Sequence, residues 1–119
     1  MRYLSSLVAA LLPAVSLAQA KTETVSFQRK IAPIFRNACI GCHNDKTAMG
    51  GLNLTSYAAT MRGGKGGAQI TPGKSGESRL VKMLLGSALP KMPIGGSLKP
   101  IEIEAIRSWI DQGARIDPT

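Results

Sequence analysis

Residues 39–43 read "CIGCH": two cysteines three positions apart, with a histidine directly behind the second. They are the two cysteines and the one histidine of the chain. Three chemistries use such a cluster. A structural zinc site wants four ligands, usually from two Cys/His pairs, and no second pair exists here. A redox dithiol sits at a helix start after a strand, whereas these cysteines follow a helical pattern. Neither that couple nor a plain structural disulfide uses the adjoining histidine. Covalent attachment of haem uses all three residues. Thiols at i and i+3 lie on one side of a helical turn and can add to the two vinyl groups at one porphyrin edge. His43 then projects from the same turn under the iron. The cluster predicts one haem c held by Cys39 and Cys42, with His43 as the proximal iron ligand.

A sixth ligand decides whether such an iron is closed or open. With no second histidine, the candidates are Met49, Met61, Met83 and Met92. Met83 falls in an apolar helical pattern, where a methionine usually fills core space. Met61 leads into a glycine loop. Met49 is too near the attachment site in sequence to reach the opposite haem face easily. Met92, in "LPKMPIGG", sits on an irregular loop stiffened by Pro90 and Pro93 and far from His43 in sequence. It is the expected distal ligand. A His/Met pair raises the potential and fills both axial positions, which favours electron transfer over catalysis. The rival is a ligand-binding or peroxidase-like haem protein with an open iron site. Peroxidase chemistry would want a distal acid or base, and no spare histidine exists to act as one.

The elements that must position these residues are short. Met1-Arg2-Tyr3, an apolar stretch from Leu4 to Leu17 and Ala18-Gln19-Ala20 have the form of a cleaved secretory signal over 1–20, too short to span a bilayer. The chain is therefore expected to be periplasmic or otherwise exported, with a linker over 21–25 and a domain over 26–117. Ser26 should cap a helix running to Asn37, with Pro33 marking a kink or a restart. Ser56 should cap a short helix to Met61. "GGKGG", 63–67, reads as a mobile loop. A helix over roughly 77–85 should end at Gly86, and a last helix should run from Pro100 to Gly113 with Ile103, Ile106 and Ile110 on one face and Trp109 at its edge. Lys99 is a poor cap, so the first turn of that helix is expected to fray. "GKS" at 73–75 invites a phosphate-loop reading, but Ala68 stands where the pattern needs a glycine and no strand precedes it. No strand is long enough to build a sheet. The expected class is all-α, about three to five short helices with long loops.

Composition fits a domain built around a cofactor. About 99 residues remain after the leader. They are rich in glycine and proline and poor in aromatics, and a chain so small usually needs a staple or a large apolar group to complete its core. The net charge of +8 falls by one when Arg2 is removed. An exported protein rarely meets nucleic acid, so the excess points to an acidic protein partner, such as a redox protein with an acidic docking face, or to an anionic surface; the bland alternative is a solvated cationic face.

The segments "IAPIFRNACIGCHND", "GGLNL", "TPGKSGESRLVKML" and "LPKMPIGGSLKPIEIEAIRSWIDQGA" resemble, in order and spacing, small class I c-type cytochromes, most closely the planctomycete-type cytochrome c domain. The resemblance implies the cytochrome c fold around one covalently bound haem, with Cys39 and Cys42 holding it, His43 proximal and Met92 distal. It implies first and last helices that cross beside the haem, with Ile31, Phe35, Ile106 and Trp109 as crossing contacts. It also implies a single-electron carrier between redox proteins, not an enzyme. Lys99 departs from the pattern, where a Ser or Thr cap is more usual.

Overall fold

The computed structural model describes residues 23–117, together with Tyr3, Ala9 and Ala10. The remaining positions of the expected leader, 1–20, and Lys21 and Thr22 lie outside the described residues. The architecture is all-helical: α1 (Ala32–Ala38), α2 (Tyr57–Arg62), α3 (Arg79–Leu85) and α4 (Pro100–Asp111), with no strand among the described residues. No described helix is long and apolar enough to cross a membrane.

Local chemistry sets most of the boundaries. Ser26 is extended and its side chain accepts from the Arg29 N–H, satisfying a donor that a helix start leaves free. A wide turn over Phe27–Ile31 precedes α1. Pro33 lies in the first turn of α1, where its missing N–H removes no helical bond. The expected restart is what forms. Ser56 caps α2 through the Ala59 N–H. Gly86, left-handed at φ 80°, ends α3 and returns its N–H to the Lys82 and Met83 carbonyls. That helix starts at Arg79, two residues later than expected, because Ser75–Glu77 forms a separate tight turn.

At the start of α4 Lys99 is the poor cap that the sequence suggests, and another residue supplies what it cannot. Lys99 has only donors to offer and caps nothing with its side chain. The Glu102 carboxylate reaches back instead and accepts from the Lys99 N–H at 3.0 Å. This supplies one half of a capping box and holds the turn.

The buried core gathers Phe27, Ile31, Phe35, Ile106, Trp109 and Ile110, which includes the four expected crossing residues. Trp109 is at the centre of the α4 face, not its edge: it is 1% exposed. Its ring lies 5.4 Å from that of Phe27, and Tyr57 meets Phe27 edge-on at 5.4 Å. Such pairs contribute ~0.5–1.5 kcal/mol each beyond the area they bury. Both polar aromatic tips are satisfied. Tyr57 Oη donates to the Ala114 carbonyl at 2.8 Å, and Trp109 Nε1 donates to the Arg115 carbonyl at 2.9 Å.

Polar stitches join the two ends of the domain around this cluster. The Val25 N–H donates to Gln112 Oε1 at 2.8 Å, and Gln112 Nε2 donates to the Glu23 carbonyl at 3.0 Å. Ser26 Oγ donates to Asp117 at 2.7 Å. Asp111 accepts from both the N–H and the hydroxyl of Ser75, at 2.8 and 3.0 Å. The Gly73 N–H donates to the Ile110 carbonyl at 2.7 Å. These N–H groups of the "GKS" turn are spent on α4, so they cannot cradle a phosphate.

"GGKGG" is a tight hairpin and not the loose loop expected. Gly64 and Gly67 exchange backbone hydrogen bonds at 3.0 Å, and the Lys65 N–H donates to the Gly50 carbonyl at 2.8 Å. A Cβ on Gly64 would lie 2.5 Å from that carbonyl oxygen. The glycines serve close approach of two backbones.

Candidate functional site

The attachment turn grows out of the end of α1. Cys39 and Ile40 donate their N–H groups to the Phe35 carbonyl at 2.8 and 3.0 Å, and Cys42 and His43 donate theirs to the Cys39 carbonyl at 3.2 and 3.0 Å. One helical turn therefore carries Cys39, Cys42 and His43. Asn44 closes it. Its Nδ2 donates to the Ile40 carbonyl at 2.6 Å, while its Oδ1 accepts from the Lys46 and Thr47 N–H groups at 3.0 and 2.8 Å. This local bonding of an Asn side chain to nearby backbone reverses the chain.

The reversed segment returns along the turn and fixes the histidine. The Met49 N–H donates to the Cys42 carbonyl at 3.1 Å, and the Leu54 N–H to the His43 carbonyl at 3.0 Å. His43 Nδ1 lies 3.1 Å from the Leu52 carbonyl. A carbonyl oxygen only accepts, so Nδ1 carries a proton, and the neutral ring then keeps its lone pair on Nε2, where a metal could bind. The sequence gave no sign of the Leu52 carbonyl, because a main-chain acceptor leaves no mark on residue type.

Both thiols are free. Cys42 is exposed, whereas Cys39 is mostly covered. Burial pushes the Cys39 thiol up to about 11, with the nearby Glu102 charge adding to the effect. At neutral pH it is protonated. Among the described residues no three or more His, Cys, Asp or Glu side chains come together as a metal-holding set, so the cluster does not by itself form a zinc centre.

Cys39, Cys42 and His43 all border one cavity of about 500 Å³. Phe35, Leu54, Leu80 and Ile106 are among its mainly apolar walls. Pockets of roughly 300–1,000 Å³ suit small molecules and cofactors. Met92 borders the cavity, as do Met83 and Met49; Met61 does not. Met92 is half-buried, and its N–H donates to the Met83 carbonyl at 2.9 Å, which ties the proline-flanked loop to the C-terminal part of α3. Met49 is 50% exposed. The residues present suit a flat apolar cofactor with two thiol attachment points, one imidazole and one thioether. Lys65, Gln69 and Arg79 also line the cavity, and none was singled out from the sequence as part of a site.

Over residues 39–93 the chain matches the family model of planctomycete cytochrome C. Those residues belong to this family. The matched cytochrome segment opens at the first cysteine and closes on Pro93, so it encloses Cys39, Cys42, His43 and Met92. No curated protein and no solved structure matches the chain. A cytochrome c domain implies electron carriage on haem, and the Cys39/Cys42 pair is consistent with covalent attachment.

Proposed function

We propose that this cytochrome carries single electrons between redox proteins on one haem c, in the periplasm or another exported compartment. The carrying observation is the meeting of four side chains of the required types, Cys39, Cys42, His43 and Met92, at one mainly apolar cavity. Cys39 and Cys42 would hold the haem covalently, each by adding its S–H across one vinyl double bond, with sulfur to one carbon, hydrogen to the other and no leaving group. His43 presents Nε2 to the iron, oriented by its bond to the Leu52 carbonyl. Met92 presents its sulfur as the distal ligand. Bound there, the haem iron supplies a one-electron ferric/ferrous couple whose potential the thioether raises. Phe35, Leu54, Leu80 and Ile106 line the cavity and would keep water from a haem held there by His43 and Met92, so that little would rearrange on reduction.

Partners are redox proteins with acidic docking faces. The one ion pair among the described residues, Lys74–Glu77 at 3.7 Å, lies between exposed side chains, so most of the excess positive charge faces solvent. Association should be faster at low salt.

The test is a reduced-minus-oxidised spectrum of protein matured in a host that attaches haem, wild type beside Met92→Ala. The wild type should be coloured, carry a covalent mass increase and show the weak sulfur-to-ferric-iron band. The variant should keep its covalent haem, lose that band, drop in potential and bind carbon monoxide. Unchanged ligation in Met92→Ala would transfer the distal role to its bonded neighbour, Met83. A colourless wild type would sink the whole reading.

A further inference from the structure

Besides its apolar walls the cavity has polar lining residues. Lys65, at the tip of the glycine hairpin, Gln69 and Arg79 all border it, and no aspartate or glutamate does among the described residues. These three positions form one connected piece of structure. Gln69 Nε2 donates to the Gly67 carbonyl at 3.2 Å, which ties it to the hairpin. The Gln69 carbonyl accepts from the Leu80 N–H at 2.9 Å, which sets the start of α3, and so Arg79, beside it. Gln69 is 8% exposed, and its amide nitrogen has a second hydrogen to give. Neither Arg79 nor Lys65 is in an ion pair with a described residue. The cavity lining thus includes a planar guanidinium that suits bidentate bonding, a flexible ammonium and an amide donor, the side-chain types that suit a carboxylate.

We infer that Arg79, with Lys65 and Gln69, holds the carboxylate side chains of the porphyrin and thereby sets its depth and tilt in the cavity. This rests on the haem reading above and deepens it. Cys39 and Cys42 fix the vinyl edge, and the two propionates leave a porphyrin on the edge away from the vinyls, so a second set of contacts is needed there. A carboxylate beside a guanidinium titrates lower by about 1–3 units than one without it. With Arg79 present, the propionates would stay ionised over the neutral range. Without Arg79 a propionate would ionise only at higher pH, and above that pH its unshielded negative charge would favour ferric iron.

The experiment compares matured, haem-loaded wild type with Arg79→Gln, Arg79→Lys, Lys65→Gln and, as a charge control that does not border the cavity, Arg115→Gln. The midpoint potential is measured against pH, and the propionate bending modes are read by resonance Raman spectroscopy. In Arg79→Gln the pH at which the potential begins to fall should move up by about one unit, the potential near neutrality should drop, and the propionate modes should shift. Lys65→Gln should do the same to a smaller extent, Arg79→Lys should recover most of the change, and Arg115→Gln should track wild type. If Arg79→Gln does not retain haem, Lys65→Gln and Arg79→Lys still discriminate, since the inference requires a graded shift in both. Coloured variants whose profiles and Raman bands coincide with wild type, or move no further than Arg115→Gln, would overturn the inference and leave the haem reading standing. A colourless wild type would overturn the haem reading and this inference with it.

Discussion

Two sides of this small domain are finished in different ways. Where residues 23–31 meet residues 106–117, the protein completes its own packing: Phe27, Tyr57 and Trp109 fill the interior, and Gln112, Asp111 and Asp117 bind the surrounding backbone. Where residues 39–54 face residues 80–94, it leaves about 500 Å³ between apolar walls. The first side spends Phe27, Tyr57 and Trp109 on a closed core. The second places Met49, Met83, Met92, the one histidine and both cysteines around a space the chain does not fill. A domain of this size with few large side chains can close one core but not two, and a bound group would supply the missing apolar volume on the other side.

Substitutions that act on one side alone test this division. The largest effect should come from Trp109→Ala. Removing this buried ring should cost ~3–5 kcal/mol, read by urea unfolding of the haem-loaded protein. Because Trp109 does not border the cavity, the visible spectrum in the folded baseline should not change. A change in axial ligation there would show that the two sides are not independent. On the cavity side, Gly64→Ala puts a methyl group against the Gly50 carbonyl, a backbone atom that cannot swing away. It should cost ~1–3 kcal/mol, lowering the thermal midpoint while also displacing the hairpin that carries Lys65.

The smallest effect should come from Asp111→Asn, and it depends on pH. Hydrogen bonds from the Ser75 N–H and hydroxyl, helped by nearby Arg107, hold the Asp111 carboxyl below the ordinary aspartate range. A lowered native value means that the ionised form stabilises the fold above about pH 4. That contribution fades as pH falls through the native value. Asp111→Asn should therefore be less stable than wild type at pH 7, with the gap closing in acid, as followed by urea midpoints across that range. Asp117 is depressed in the same direction, first by the Ser26 hydroxyl, and should behave alike.

Much of the cavity side was legible in the sequence because its chemistry is local. Cys39, Cys42 and His43 declare themselves by spacing, and Met92 by the prolines beside it. Helix limits set by Ser26, Ser56, Gly86 and Pro100 were equally readable, since each acts within one turn of itself. The stitched side was much less legible. Nothing near Gln112 in sequence says that it will bind Glu23 and Val25, and nothing near Tyr57 says that its hydroxyl will find Ala114. Trp109 was misplaced to an edge because helical periodicity describes one helix at a time, whereas its burial comes from Phe27 and Tyr57 on other elements. "GGKGG" was misread for the same reason: a glycine that permits close approach is intelligible only once the second backbone, at Gly50, is in place. Arg79 carries no local sign of a site; only the fold, which pairs the Leu80 N–H with the Gln69 carbonyl, brings it to the cavity wall.

The bond between Ser26 and Asp117 has an architectural consequence. The polypeptide enters and leaves the folded unit at a single doorway, and no residue of that doorway borders the cavity. Such a unit can be spliced into a surface loop of another protein, or strung in tandem with copies of itself, without covering the opening through which electrons would pass.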